Sequence, residues 1–179
     1  MQARVQCPRP DALVMVVLVR QDADGPSRMP VLTVPELPAM ARHLERVGIP
    51  AVKVFASPTS RTGDERGGVA ADSLMARAVA TLKDAAPGLT VMTGTCLCSW
   101  TSLGECHHTG RDGAIDLPAT VEALAAQAIA QAEAGVEVIG PAAMAPGQVT
   151  ACRRALDETG HGRTQIMPHL VVSSALYAG

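Results

Sequence analysis

The chain has 179 residues, enough for one domain with a sizeable core. Its formal net charge of −2 and sequence pI of about 6.2 exclude the basic footprint of a nucleic-acid or anionic-membrane binder. The three aromatic residues, Phe55, Trp100 and Tyr177, are too few for a base-stacking platform, and no apolar run approaches the roughly 20 residues of a membrane span. The apolar stretch Leu13–Val19 has no small-residue cleavage site behind it, so a cytoplasmic protein is expected.

In chain order, Leu13–Val19 is a continuous apolar run, as expected of a strand buried on both faces of a parallel sheet. After a polar turn from Gln21 to Arg28, Thr33 and Glu36 form a T-x-x-E capping box. The helix they open carries Leu37, Met40, Ala41, Leu44 and Val47 at helical spacing and ends at Gly48. Ala51–Ala56 is the second strand. A loop from Ser57 to Ala70 leads to a helix capped by Asp72 or Ser73, with Leu74, Ala78, Val79 and Leu82 on its apolar face and Pro87-Gly88 as its stop. Leu89–Thr95 is the third strand. A long helix over about 118–134 should bury Val121, Leu124, Ala125, Ala128 and Ile129. Val136–Gly140, Gln148–Thr159 and Thr164–Val171 read as strand, helix and strand. This alternation predicts an α/β parallel sheet of about five strands and four helices, with residues 1–12 a short arm and 13–179 one domain.

Chemistry concentrates just after the third strand. Cys96, Cys98 and Cys106 follow as C-x-C-x7-C. On extended backbone Cys96 and Cys98 point to one side, and Gly104 allows Cys106 to fold back to them. Three thiols suit zinc or a similar borderline metal, leaving a fourth position for water, substrate or an adjacent histidine, with His107 as the candidate. Vestigial buried thiols without metal, a surface His107 and a solvated Glu105 are the plainer readings.

Lys53 sits mid-strand on the face opposite Val52 and Val54, where an amine is costly unless paired or functional. It is either a Schiff-base amine or a side chain reaching the sheet edge or a carboxylate such as Asp64. His169 is a pocket remnant or a satisfied strand-end histidine. Cys7-Pro8 is similar to the Cys-Pro element of haem-responsive proteins, where the thiolate binds haem iron; a free terminal thiol is the alternative. Cys152, beside Val149 and Leu156, reads as core.

The chain from about Asp11 to Gly147 resembles the porphobilinogen synthase (delta-aminolevulinic acid dehydratase) family. The resemblance rests on Thr33-Val-Pro-Glu-Leu37, Gly48-Ile-Pro-Ala-Val52, Thr95-Cys-Leu-Cys-Ser-Trp-Thr-Ser-Leu-Gly-Glu-Cys106, Ala132-Glu-Ala-Gly135 and Pro141…Met144…Gly147-Gln-Val149. It implies a (β/α)8 fold, here not closed within one chain, and metal-binding cysteines at 96, 98 and 106. It further implies a place in tetrapyrrole (haem) biosynthesis and a small-molecule ligand, 5-aminolevulinate or a tetrapyrrole. The family's condensation uses two Schiff-base lysines. The first falls at Val171 or Val172, and the second is expected beyond Gly179. Two aspartates of the family correspond to Gly94 and Pro146. These departures lead to the expectation of a metal-binding or regulatory pseudoenzyme that self-associates as a homo-oligomer. The competing class is a lyase or dehydratase that uses metal as Lewis acid and Lys53 as amine. A paralogue whose metal loop only staples the fold is the third.

Overall fold

The computed structural model describes residues 9–22, 29–58 and 68–171. After a 3-10 turn at Pro10–Ala12 come β1 (Val14–Arg20), β2 (Val31–Thr33), α1 (Leu37–Val47), β3 (Ala51–Ser57), α2 (Leu74–Ala85) and β4 (Thr90–Thr95). They are followed by β5 (His108–Thr109), β6 (Ile115–Asp116), α3 (Leu117–Glu133), β7 (Val138–Pro141), α4 (Gln148–Glu158) and β8 (Gln165–Ile166). Six strands form one sheet in the order β2-β1-β3-β4-β7-β8, with every pairing parallel, and β5 and β6 form a separate antiparallel pair. From β1 onward each strand is joined to its neighbour through a helix, the repeat of a (β/α) barrel left open.

The strand faces differ. Val17, Val19, Val52, Val54, Val91 and Ile139 are fully buried in the core shared with α1 to α4. On the opposite face Val14 and Val16 are 45% and 37% exposed. The helices line up as a single layer, with α1 on α2, α2 on α3 and α3 on α4. The expected burial of β1 on both faces is therefore corrected to burial on one.

The local signals explain the boundaries. Thr33 and Glu36 form the predicted capping box: the Glu36 carboxylate accepts from Thr33 N–H and Oγ1–H, both at 2.7 Å. With Pro35 and Pro38 at the start of this segment, residues 34–36 form a 3-10 turn and the α-helix starts at Leu37. Gly48, at φ +76°, closes it as a left-handed cap. Ser73, of the two candidates, caps α2 by accepting from Ala76 N–H at 3.1 Å. The sheet gains an edge strand, β2, that covers the end of β1 expected to be open. The final strand shortens to Gln165–Ile166, yet its backbone runs on beside β7: Gln165, Met167 and His169 donate to the carbonyls of Glu137, Ile139 and Pro141 at 2.8–2.9 Å. Pro168, which has no N–H, is skipped by this one-sided ladder.

Candidate metal centre and the cavity beside it

β4 ends at Thr95 and delivers Cys96 to the C-terminal edge of the sheet. The chain does not stay extended to Cys98, as the spacing suggests. It turns at Leu97, which is buried, and Trp100 and Thr101 donate to the Leu97 carbonyl at 2.8 and 3.0 Å. The return through Gly104 occurs as expected, at φ +75°, supported by Thr101 Oγ1 donating to Glu105 O at 2.7 Å. The sulfurs of Cys96, Cys98 and Cys106 consequently all lie within 4.8 Å of one another, each on a half-buried residue.

This clustering makes proton loss without a cation unfavourable. Hydrogen bonding with Cys98, then burial, pushes the Cys96 thiol far up, and burial leads the upward push on Cys106. A bound cation supplies the positive charge that three converging sulfurs lack. The donor set is soft and open on one side.

The loop is fixed from below. Gln131 of α3 accepts from the hydroxyls of Thr93 (2.9 Å) and Thr95 (2.6 Å) and donates to Gly94 O at 3.1 Å. These partners tie β4, and so Cys96, to the helix layer. Beyond Cys106 the β5–β6 hairpin is held by His108 N–H donating to Thr120 Oγ1 at 2.9 Å. Burial on α3 centres on Thr120, Leu124, Gln127, Ala128, Gln131 and Ala132, so the expected Leu124 and Ala128 hold while Val121, Ala125 and Ile129 are only half-buried.

A cavity of about 230 Å³ adjoins the thiols, lined by Phe55, Met75, Gly94, Trp100 and Gln131 together with all three cysteines. Its floor is set by Phe55. A Cβ added at Gly94 would stand 2.5 and 2.7 Å from Phe55 ring carbons, so the ring fills the space above Gly94.

His107 faces a different recess, with Glu105, His108 and Thr101, and lies 3.6 Å from the Glu105 carboxylate; the three-sulfur group does not include it. Lys53 is buried on the open face of β3, with its Nζ against His169 Nε2 and 6.0 Å from the Phe55 ring centroid. Cys152 is core, its thiol pushed up to about 11 by burial. Val171 is exposed. Cys7, Asp64 and Val172 lie outside the described residues. Sequence reasoning missed Phe55 and Gln131, since neither residue type signals its partners locally.

No helix among the described residues is long and apolar enough to cross a membrane. The family model for delta-aminolevulinic acid dehydratase matches residues 6–178. The chain is 36% identical over 176 residues to the delta-aminolevulinic acid dehydratase of Escherichia coli, covering 93% of this chain and 53% of that one. With the enzyme of that name from Methanothermobacter thermautotrophicus it shares 40% over 141 residues, covering 77% and 42%. A crystal structure of delta-aminolevulinic acid dehydratase from Toxoplasma gondii, in complex with the reaction product porphobilinogen, superimposes with a TM-score of 0.84 at 26% identity, covering 97% of this chain and 53% of that one. The chain thus spans about half the length of the relatives it matches. With a family match over nearly its whole length and the open parallel sheet to accompany it, this chain belongs to the delta-aminolevulinic acid dehydratase family.

Proposed function

We propose that this chain binds zinc through Cys96, Cys98 and Cys106 and a small ligand of tetrapyrrole metabolism in the adjoining cavity, without condensing 5-aminolevulinate to porphobilinogen. The donor spacing supports zinc. Bonds near 2.3 Å in a tetrahedral shell place sulfurs about 3.8 Å apart, compatible with a group confined within 4.8 Å. With His107 in a separate recess beside Glu105, a water or a ligand atom would complete the shell. When bound, the metal supplies Lewis acidity at the mouth of the cavity. Cys7 as a haem ligand extends the same reading to haem sensing.

The observation that carries the loss of condensation is the Phe55 ring over Gly94. The family resemblance assigns an aspartate to position 94, and here the Phe55 ring fills the space that its side chain would enter. Val171 or Val172 in place of the first imine-forming lysine acts in the same direction. Self-association in the cytoplasm is part of the reading, because the exposed Val14 and Val16 offer an apolar sheet face for burial.

The test is to incubate zinc-loaded protein with 5-aminolevulinate and follow both calorimetric binding and pyrrole formation. Saturable heat without pyrrole is expected. Catalytic accumulation of a pyrrole contradicts the proposal, as does the absence of any binding.

A further inference from the structure

Lys53 is the only acidic or basic side chain that is buried among the described residues. Its strand neighbours in register are Val16 on β1 and Met92 on β4, so apolar side chains flank it on both sides of the sheet face. No carboxylate among the described residues pairs with it. Its polar partner is instead an imidazole: Nζ donates to Nε2 of His169, 116 residues away. The Phe55 and His169 rings lie 6.1 Å apart, and Lys53 Nζ lies 6.0 Å from the Phe55 centroid, so amine, imidazole and ring form one cluster.

The arrangement depends on Gly140. A Cβ there would come within 3.0 Å of Lys53 Nζ and 3.1 Å of His169 Nε2, so only a bare backbone lets the pair lie this close to β7. The segment after β8 brings His169 over, through its N–H on Pro141 O at 2.9 Å. Three strands and one extended segment therefore converge on a single amine.

We infer that Lys53 and His169 form a nucleophilic amine site that captures small ketones or aldehydes as imines. A desolvated amine with an imidazole acceptor is the arrangement that makes lysine a nitrogen nucleophile towards a carbonyl carbon. Burial lowers the Lys53 pKa, and burial followed by the Lys53 charge lowers that of His169, so both groups are held towards their neutral forms. The nitrogen lone pair attacks the carbonyl carbon, forming the C–N bond as the C=O π bond breaks. The nitrogen passes one proton to His169 Nε2, which delivers it to the carbonyl oxygen, giving a carbinolamine. His169 then takes the remaining N–H proton and passes it to the hydroxyl, which leaves as water while the nitrogen lone pair closes the C=N bond. One carbonyl and one amine become one imine and one water. Entry is from the open sheet face, where Val16 is 37% exposed. The site does not depend on the metal, and its reactive atoms are other than the cysteines.

Borohydride trapping with levulinate tests it, followed by peptide mapping for a mass gain equal to the acid less one oxygen. The chain carries its own control, for Lys83 is its only other lysine and is engaged by Glu137 and by the carbonyls of Pro87 and Leu89. Labelling of Lys53 at least about tenfold faster than Lys83 is expected, given that the free amine is the reacting form. His169→Gln, shown by thermal melting to stay folded, should slow it about a hundredfold. Lys53→Arg should abolish it. Equal labelling of the two lysines, labelling confined to Lys83 or the terminal amine, or no adduct overturns the inference. An unchanged rate in His169→Gln overturns the part given to His169. Persistence of the adduct in the Cys96→Ser, Cys98→Ser, Cys106→Ser triple variant is expected, and separates this site from the metal reading.

Discussion

Replacing Gly94 with alanine tests the packing that separates this chain from the family pattern. Gly94 has an ordinary backbone conformation, so a Cβ brings no backbone strain and reduces unfolded-chain entropy by about 0.4–1 kcal/mol. Against that gain stand contacts of 2.5 and 2.7 Å to the Phe55 ring, where carbon atoms normally rest about 3.5–4.0 Å apart. The ring must shift by about an ångström, and forced repacking of this kind costs about 1–3 kcal/mol. Gly94→Ala should therefore destabilise the protein by roughly 1–2 kcal/mol, lowering Tm by about 2–8 °C for a chain of this size. In a Phe55→Ala background the ring is gone and the same change should become neutral or stabilising, a coupling of about 2 kcal/mol. Urea denaturation followed by far-UV circular dichroism measures all four corners of the cycle. An equal cost of Gly94→Ala in both backgrounds would refute the assignment of Phe55 to that space.

Gln131→Leu removes the acceptor for two buried hydroxyls, Thr93 and Thr95, and the donor to Gly94 O. A loss of at least about 2 kcal/mol is expected, with weaker zinc retention against a chelator; a change within about 0.5 kcal/mol would contradict the tie between α3 and the cysteine loop. Glu36→Gln tests the capping box through pH. The Thr33 N–H first, and its hydroxyl second, hold the Glu36 carboxyl below its usual range. Its contribution is present above the unfolded-state value and is lost as pH falls through the lower folded-state value. Melting curves of wild type and Glu36→Gln should differ at neutral pH and converge in acid; a gap that widens in acid contradicts this.

Much of this architecture is written in local pattern. The apolar run of β1, the T-x-x-E box, Gly48 and the C-x-C-x7-C loop each announce themselves through nearest-neighbour chemistry. What the chain conceals is non-local. β2 is three residues long, too short for any periodicity, and exists because Val31–Thr33 pairs with Leu18–Arg20. The β5–β6 hairpin is two residues a side and depends on Thr120 of the following helix. Gln127 and Gln131 of α3 are polar yet buried, and for Gln131 the reason is distant in sequence: Thr93 and Thr95 of β4 offer it hydrogen bonds there. Lys53 and His169 could each be singled out as unusual, yet their contact arises only when β8 completes the sheet beside β7. The cysteines were legible as a group, while the turn at Leu97 that brings them together was not.

Zinc K-edge X-ray absorption on the metal-loaded protein addresses the three-thiol centre most directly. The account predicts one zinc per chain with three sulfurs at about 2.3 Å and one lighter nitrogen or oxygen neighbour. A shell of nitrogen and oxygen alone, or full zinc retention after all three cysteines are changed to serine, would contradict it.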